Sequence, residues 1–260
     1  MITFGISTAC FYPLKTEQAA RRLIERKISG AELFLNSQSE LEKGYLKELR
    51  KTLDGGGCRV LSVHPFSSGF EAFLFFSEYE RRFLDSLESY QRFFEAACIL
   101  GAKIVVFHGD RKDGRLSEEA YFERYARLRD TAKAQGVVLA QENVGPGRSG
   151  SLDFLKRMRD YLGEVSFVLD IKQAIRGKEA PLQMAKALKD HIIHLHLSDH
   201  TAGKDCLPVG KGNFLFAPLL ELFAGQNREV SAVVELYRES YREEEEIFTS
   251  YENLLRANNI

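Results

Sequence analysis

Six short apolar runs of this chain each end in a side chain that can bind a metal ion or carry a proton. One such residue alone is more often a solvated carboxylate, a helix cap or a hydrogen-bonded structural histidine. Six in equivalent places favour a shared site, because carboxylates and imidazoles that converge away from water are costly unless a cation compensates them. The six residues are His64, His108, Glu142, Asp170, His196 and Glu235.

Mixed carboxylate and imidazole ligands suit Mn2+, Co2+, Zn2+ or Mg2+ and argue against a soft thiolate site. A divalent ion of this kind polarises a carbonyl and a neighbouring hydroxyl, and it stabilises the negative charge that develops when a proton leaves the adjacent carbon. The sequence therefore predicts a divalent metal cofactor and enediolate chemistry on an oxygen-rich small molecule.

The elements that carry these residues alternate regularly along the chain. Short apolar runs, several rich in Val and Ile, predict buried parallel strands at 3–7, 30–35, 59–64, 103–108, 137–142, 166–170, 192–197 and 229–235. Segments with an apolar period near 3.6 predict helices at 16–26, 40–52, 78–100, 117–135, 151–162, 181–190, 214–223 and 243–257.

Eight βα units predict an α/β fold, specifically a single-domain (β/α)8 TIM barrel over residues 1–260. The alternative is an open, doubly wound sheet, which often has a glycine-rich phosphate turn after its first strand. Here the first strand leads into Thr8-Ala9-Cys10 instead, which favours the closed barrel. In a barrel the carboxyl ends of all strands meet on one face, so the six residues would converge there.

Composition limits the other function classes. The formal net charge of -1 disfavours nucleic acid and anionic membranes as partners, and no apolar run is long enough to span a bilayer. The N-terminus lacks a secretory signal pattern, and the cysteines form no CxxC pair, so we expect a reduced, cytoplasmic setting. The four cysteines are Cys10, Cys58, Cys98 and Cys206.

Five segments together resemble the xylose isomerase-like barrel superfamily, which includes sugar isomerases, sugar epimerases, inosose-processing enzymes and the endonuclease IV group. The resemblance covers essentially the whole chain and rests on the order and spacing of the segments rather than on any one of them. They are Gln141-Glu142-Asn143, Leu169-Asp170-Ile171-Lys172, His194-Leu195-His196-Leu197-Ser198-Asp199, Leu207-Pro208-Val209-Gly210-Lys211-Gly212-Asn213 and Val234-Glu235-Leu236-Tyr237.

The resemblance implies a role for each matched position. In epimerase-like members the residues that match Glu142, Asp170, His196 and Glu235 ligate one metal ion. The two glutamates also act as the acid and base on opposite sides of the substrate, which makes Glu142 and Glu235 the expected catalytic pair. Some relatives shift a hydride instead, and the sequence leaves both routes open.

Two departures from the family pattern affect the predicted substrate contacts. A histidine common three residues after the strand-six aspartate is Gln173 here, and the loop after strand seven reads Lys204-Asp205-Cys206 where endonuclease IV has an Asp-x-His ligand. A three-zinc cluster is therefore not expected. His64 and His108 are interpreted as substrate ligands, with two alternatives: a partial second metal site with Cys206, or structural histidines.

Further substrate-binding candidates lie next to the matched residues. Lys172 and Arg238 follow the predicted ligands closely, where they would bind substrate oxygens or a phosphate, or else be surface charges. Gln173, Asp199 and Phe66 complete the predicted substrate contacts. The aromatic-rich segment 66–83 is interpreted as a wall over the substrate, a dimer interface or helix-to-barrel packing.

The leading functional prediction is a metal-dependent isomerase or epimerase of a sugar, sugar phosphate or polyol. A homo-oligomer is one assembly that the sequence leaves open. A zinc-dependent, endonuclease IV-like phosphodiesterase is the runner-up, because His64 and His108 could hold further zinc ions. A barrel that binds a metabolite without turnover is the third alternative, since fold does not establish chemistry.

Overall fold

The computed structural model describes residues 1–258 and contains a closed eight-stranded parallel barrel. Its strands are β1 (Ile2–Ser7), β2 (Gly30–Leu35), β3 (Arg59–Pro65), β4 (Ile104–Phe107), β5 (Val138–Glu142), β6 (Ser166–Asp170), β7 (Ile192–Leu197) and β10 (Val230–Val234). A separate antiparallel hairpin, β8 (Asp199–Thr201) with β9 (Lys204–Leu207), follows β7. The barrel closes where β1 pairs with β10, which confirms the predicted TIM barrel and excludes an open sheet.

Helices follow the strands and form the outer layer. The longer ones are α1 (Thr16–Glu25), α2 (Lys43–Gly55), α4 (Glu80–Leu100), α5 (Glu118–Ala134), α6 (Leu152–Leu162), α8 (Pro181–Leu188), α9 (Phe216–Ala224) and α10 (Glu245–Asn258). Two short helices, α3 (Glu71–Phe75) and α7 (Ile171–Arg176), were not predicted. Both follow the carboxyl end of a barrel strand and contribute residues to the site.

The barrel strands are apolar because both of their faces are covered. Every residue of β4 and of β10 is buried, and both strands are rich in valine, which favours a pleated and crowded environment. Between β1 and β2 the backbones approach so closely that a Cβ on Gly5 would overlap the carbonyl oxygen of Gly30. A glycine is therefore required at this point of the wall.

Alternate residues of each strand point into the barrel, and this period of two places the candidate ligands. Ala140 and Val168 belong to a small buried apolar cluster that β4, β5 and β6 share. Two residues further along the same strands are Glu142 and Asp170, which therefore face the interior above that cluster. This apolar cluster fills one side of the barrel interior beneath the site.

The aromatic segment after β3 divides between core and surface. Phe75 and Phe83 are buried, and the ring of Phe75 packs edge-on against Tyr90 with centroids 4.7 Å apart. The packing interpretation therefore holds for these residues. Phe70 and Phe73 are exposed.

No helix within residues 1–258 is both long enough and apolar enough to cross a membrane.

Candidate metal centre and active-site pocket

Four strands place the four predicted metal ligands at the carboxyl end of the barrel. Glu142 and Asp170 are the last residues of β5 and β6, and Glu235 directly follows β10. His196 lies near the end of β7, where the strand register pairs it with Asp170 on one side and Val233 on the other. All four side chains are buried, as a site shielded from bulk water requires.

The three carboxylates surround the Nδ1 atom of His196. This nitrogen lies 3.1 Å from Glu235 Oε2, 3.7 Å from Asp170 Oδ2 and 3.9 Å from Glu142 Oε2. Glu142, Asp170 and His196 each offer one ligand atom, and these three atoms lie within 4.8 Å of one another. The structure thus brings the predicted ligands together, although they are up to 93 residues apart in the sequence.

Two buried polar atoms of this cluster lack a hydrogen-bond partner among residues 1–258. Glu142 Oε2 and His196 Nδ1 are buried without a hydrogen bond of acceptable geometry to any of residues 1–258. Buried polar atoms are nearly always satisfied, so each exception calls for an explanation. A divalent cation bonded to both atoms would satisfy them, and the carboxylate and imidazole donors are the types that such an ion prefers. The residues present therefore fit a metal ion.

Electrostatics keep both candidate catalytic carboxylates ionised. Burial acts to raise the pKa of Glu142, but the charge of the nearby His108 holds that pKa well below the usual 4.5. Burial acts on Glu235 in the same way, and the charges of His196 and Lys172 hold its pKa well below the usual range. Each glutamate is thus prepared to accept a proton.

Lys172 belongs to this cluster and is not a surface charge. Its side chain is 3% exposed, and its ammonium group donates to Asp170 Oδ2 and to Glu235 Oε2. Burial opposes the charged form, but the two carboxylates hold the pKa of Lys172 well above its usual value. The ammonium group also lies 5.3 Å from the centre of the Tyr237 ring. Lys172 was predicted only as a substrate contact.

A second buried cluster supports His196 from below. The Nε2 atom of His196 lies 3.0 Å from Glu32 Oε2, and the same oxygen lies 3.2 Å from His194 Nε2 and accepts a hydrogen bond from Ser62. Ser231 lies 2.6 Å from His194 Nδ1 and completes the network. A carboxylate on the outer nitrogen of a metal-ligating histidine fixes its tautomer and ring orientation.

Glu32 was not predicted as a site residue, although the sequence contains a signal for it. Glu32 is a lone charge inside the apolar strand β2, where an uncompensated carboxylate would be costly. His194 and His196 are two residues apart and must therefore share one face of β7. Together these two facts indicate an interior ion-paired network.

His64 and His108 meet beside the metal cluster. Their Nε2 atoms are 3.1 Å apart, and His108 Nε2 lies 3.0 Å from Glu142 Oε2. These three residues form a further group able to hold a metal ion, and Cys206 is not part of any such group within residues 1–258. Cys206 lies in β9, where burial raises the pKa of its thiol. The structure thus brings the two histidines together without the third member of the predicted second site.

A pocket of about 400 Å³ opens above the cluster. Five of the predicted substrate contacts line it: His64, His108, Lys172, Gln173 and Arg238. The remaining lining residues were not predicted as substrate contacts: most lie in the segments that follow strands, whose course the sequence does not predict, and Phe34 lies in β2. These are Ala9, Tyr12, Phe34, Asn36, Ser68, Leu236, Tyr237 and Glu239, together with the ligands Glu142 and Glu235.

Two predicted substrate contacts lie away from this pocket. The Asp199 carboxylate accepts hydrogen bonds from the backbone N–H groups of His200, Gly210, Gly212 and Phe214. It thereby organises the loop after β9. Phe66 packs against Phe93, with ring centroids 5.5 Å apart.

A buried glutamate on α3 holds the loop that carries His108. Glu71 Oε2 accepts hydrogen bonds from the backbone N–H groups of His108 and Gly109, while Oε1 accepts one from Tyr90. Burial is the main influence on this carboxyl group and raises its pKa from 4.5 to about 7. Gly109 has φ +85°, and a Cβ there would collide with the Tyr121 hydroxyl. The position of His108 is therefore set by a rigid turn.

Solved structures of known proteins share this barrel. The 3-keto-D-glucoside 4-epimerase YcjR of E. coli aligns over 100% of both chains, with a TM-score of 0.76 and 17% identity. A D-tagatose 3-epimerase-like protein aligns over 99% of this chain and 97% of its own, with a TM-score of 0.79 and 19% identity. The IOLI protein with a bound zinc atom aligns over 99% and 98%, with a TM-score of 0.80 and 18% identity. At such identities the likeness concerns the fold alone.

Sequence comparison gives a relative of unknown role and a family. An uncharacterised protein of Mycobacterium leprae (strain TN) is 25% identical over 272 residues, covering 93% of this chain and 91% of that protein. The family model described as "Xylose isomerase-like TIM barrel" matches residues 21–256, which is most of the chain. This chain therefore belongs to the xylose isomerase-like TIM barrel family.

Proposed function

We propose that this protein is a divalent-metal-dependent isomerase or epimerase of a sugar, sugar phosphate or polyol. One observation carries the proposal: Glu142, Asp170, His196 and Glu235 gather buried ligand atoms at the floor of an open pocket, and Glu142 Oε2 and His196 Nδ1 have no hydrogen-bond partner among residues 1–258. A divalent ion held there would supply Lewis-acid stabilisation of negative charge on the substrate oxygens.

Glu142 and Glu235 move the protons in this proposal. Both carboxylates line the pocket, and nearby cations hold the pKa of each below its usual range despite burial. One ionised glutamate accepts a proton from the carbon next to the substrate carbonyl, and the other, after it has taken up a proton from solvent, returns one to the substrate. Return to the opposite face of the same carbon gives an epimer. Return to the former carbonyl carbon gives an isomer, provided that the proton of the neighbouring hydroxyl also moves to the former carbonyl oxygen.

His108 connects Glu142 to the pocket. Its Nε2 lies 3.0 Å from Glu142 Oε2, and its side chain is 23% exposed, whereas that of Glu142 is 2% exposed. His64 is buried at 3.1 Å from His108 and fixes its ring from behind. We therefore assign to His108 the exchange of protons between Glu142 and bound substrate or water.

The pocket lining is suited to a polyhydroxylated ligand. Tyr12, Phe34 and Tyr237 offer aromatic surfaces for the apolar faces of a sugar ring or chain, while Asn36 and Arg238 offer hydrogen-bond donors for hydroxyl groups. A volume of about 400 Å³ lies in the range of roughly 300–1,000 Å³ found for small-molecule sites. The two epimerase structures that share the fold are consistent with this class of substrate.

The proposal is tested by incubating the metal-loaded protein with a panel of ketoses in deuterated water. We expect NMR to detect interconversion of epimers or isomers, with deuterium at the exchanging carbon if protons are transferred through Glu142 and Glu235. Interconversion without deuterium would assign a hydride shift instead. Glu142→Gln and Glu235→Gln should each lower kcat by roughly 100- to 10,000-fold, the usual contribution of a positioned acid or base.

Glu48→Gln is the matched control, because Glu48 is exposed on α2, away from the pocket. Metal content is measured for every variant, so that loss of turnover is separated from loss of the ion. Full turnover in either pocket variant would contradict the assigned pair. Ligand binding with no turnover across the panel would instead identify a metabolite-binding barrel.

Hydrolysis of a phosphodiester by a zinc cluster is the second candidate. The group formed by His64, His108 and Glu142 favours it, since those residues could hold an additional ion. It predicts more than one zinc per chain and cleavage of abasic duplex DNA. A single metal per chain without cleavage would eliminate it.

A further inference from the structure

Lys172 contacts the same oxygen atoms that the proposed metal site needs. Its ammonium group bonds to Asp170 Oδ2 and Glu235 Oε2, and these oxygens are the ones that face His196 Nδ1, at 3.7 and 3.1 Å. The other oxygen of Asp170 is already occupied, because Oδ1 accepts the backbone N–H of Gln173 at the start of α7. The oxygen of Asp170 that faces His196 is therefore the one that Lys172 contacts.

An ammonium group and a divalent ion cannot share these oxygens without cost. Both would bond to Asp170 Oδ2 and Glu235 Oε2 at close range, in a region where Lys172 is 3% exposed and screening by water is weak. Without Lys172, the buried carboxylates of Asp170 and Glu235 would have His196 Nδ1 as their nearest cationic group, at 3.7 and 3.1 Å. The ammonium group thus stabilises the cluster by itself and also repels a second cation.

We infer that Lys172 is an internal counter-ion that competes with the metal for Asp170 and Glu235 and so sets the metal affinity of the site. This inference rests on the proposed metal-dependent function. It assigns to Lys172 a role beyond substrate contact.

The ammonium group of Lys172 has a second possible position, in the pocket near Tyr237. The lysine side chain is a flexible four-carbon stem, and Lys172 lines the pocket as well as the ligand cluster. The ring of Tyr237 lies 5.3 Å from Nζ, and its face attracts a cation. A metal ion that displaces the ammonium group from the two carboxylates would therefore direct it toward Tyr237 and toward the oxygens of a bound substrate.

The test compares wild-type protein with Lys172→Met, which keeps the length of the side chain and removes its charge. Each protein is treated with a chelator, checked by elemental analysis, and titrated with Mn2+ by calorimetry. We expect the Kd for Mn2+ to fall at least tenfold in Lys172→Met. We also expect its Tm without added metal to decrease and to recover when Mn2+ is added, since an ion that binds the folded state stabilises it.

Two further variants separate charge from packing. Lys172→Arg keeps a cation beside the carboxylates and should bind Mn2+ more weakly than Lys172→Met does. Lys186→Met is the matched control, because Lys186 is an exposed lysine on α8, and it should leave both Kd and Tm unchanged. If Lys172→Met does not fold after chelation, refolding in Mn2+ is measured, and recovery only with the ion supports the inference.

Each remaining outcome decides one proposal or the other. Equal or weaker Mn2+ binding by Lys172→Met, with wild-type binding intact, overturns the inference and leaves the proposed function standing. Binding by Lys172→Met alone supports the inference and removes metal dependence from the proposed function. If neither protein binds Mn2+, Co2+, Zn2+ or Mg2+, both proposals fail.

Discussion

At the scale of single residues, the two nitrogens of His196 have different tasks. Nδ1 faces the carboxylates of the candidate metal centre, whereas Nε2 lies 3.0 Å from Glu32. Glu32 is fully buried, and burial acts to raise its pKa, but His196 and His194 hold that pKa well below the usual range. The ionised Glu32 holds a proton on Nε2, so a metal ion would replace only the Nδ1 proton of the imidazolium and bind the lone pair that faces the carboxylates.

Replacement of Glu32 by glutamine should therefore weaken metal binding, although Glu32 is not itself a predicted ligand of the ion. The variant keeps the shape of the side chain but loses the charge that orients His196, and outer partners of this kind contribute roughly 10- to 100-fold in affinity. We expect the Kd for Mn2+ to rise by about tenfold or more, measured by calorimetry. Glu48→Gln serves again as the exposed control, and an unchanged Kd in Glu32→Gln would contradict this role.

The candidate ligands could be predicted from the sequence, whereas the residues that hold His196 in place could not. Glu142, Asp170 and Glu235 stand at or just after strand ends, a position that can be read directly from the pattern of apolar runs. Glu32 lies inside a strand, and its partner His194 is 162 residues away. Their contact depends on the stagger of strands across the barrel, which a single sequence does not encode in any local pattern.

At the scale of elements, the short helix α3 links the wall of the barrel to the pocket. Its first residue, Glu71, accepts the N–H groups of the turn that carries His108 and is itself buried with Tyr90. Burial raises the pKa of this carboxyl group to about 7, so its protonation changes within the physiological range.

This raised pKa predicts a pH-dependent contribution to stability. Below pH 4.5 the Glu71 carboxyl is protonated in both the folded and the unfolded chain. Between about pH 4.5 and 7 only the unfolded chain loses the proton, so the contribution decreases as pH rises, and above about 7 it is constant. At about 1.4 kcal/mol per pKa unit, the loss is roughly 3 kcal/mol.

The prediction is measured by urea unfolding of the wild type and of Glu71→Gln from pH 4.5 to 8. Other ionisable groups are common to both proteins and cancel in the difference. The free energy of unfolding of the wild type should decrease relative to the variant across this window. A difference that is constant, or that grows with pH, would mean that Glu71 is ionised throughout.

Long elements were predictable and short ones were not. The eight barrel strands were predicted to within two residues at each end, because a strand buried on both faces leaves a continuous apolar run. The helices α3 and α7 have five and six residues, which is less than two turns and too short for a period to emerge. The hairpin of β8 and β9 was predicted as a loop, since neither strand alternates strongly.

At the scale of the whole molecule, the site exists only because the barrel closes. Its four predicted ligands come from β5, β6, β7 and the end of β10, and closure of β10 onto β1 holds the last strand beside β7. The apolar cluster with Ala140 and Val168 and the buried network of Glu32 and His194 fill the interior below, and the pocket opens at the carboxyl ends of the strands. The fold followed from the alternation of apolar runs, and the family from the resemblance of five segments, whereas the shape of the pocket depends on loops.

The most direct test of the account is the position of a metal ion in a crystal grown with Zn2+. Anomalous scattering at the zinc edge should give one strong peak, bonded at about 2.0–2.2 Å to atoms of Glu142, Asp170, His196 and Glu235. Absence of a peak at this position with zinc in excess, or a peak bonded only to His64 and His108, would contradict the central claim.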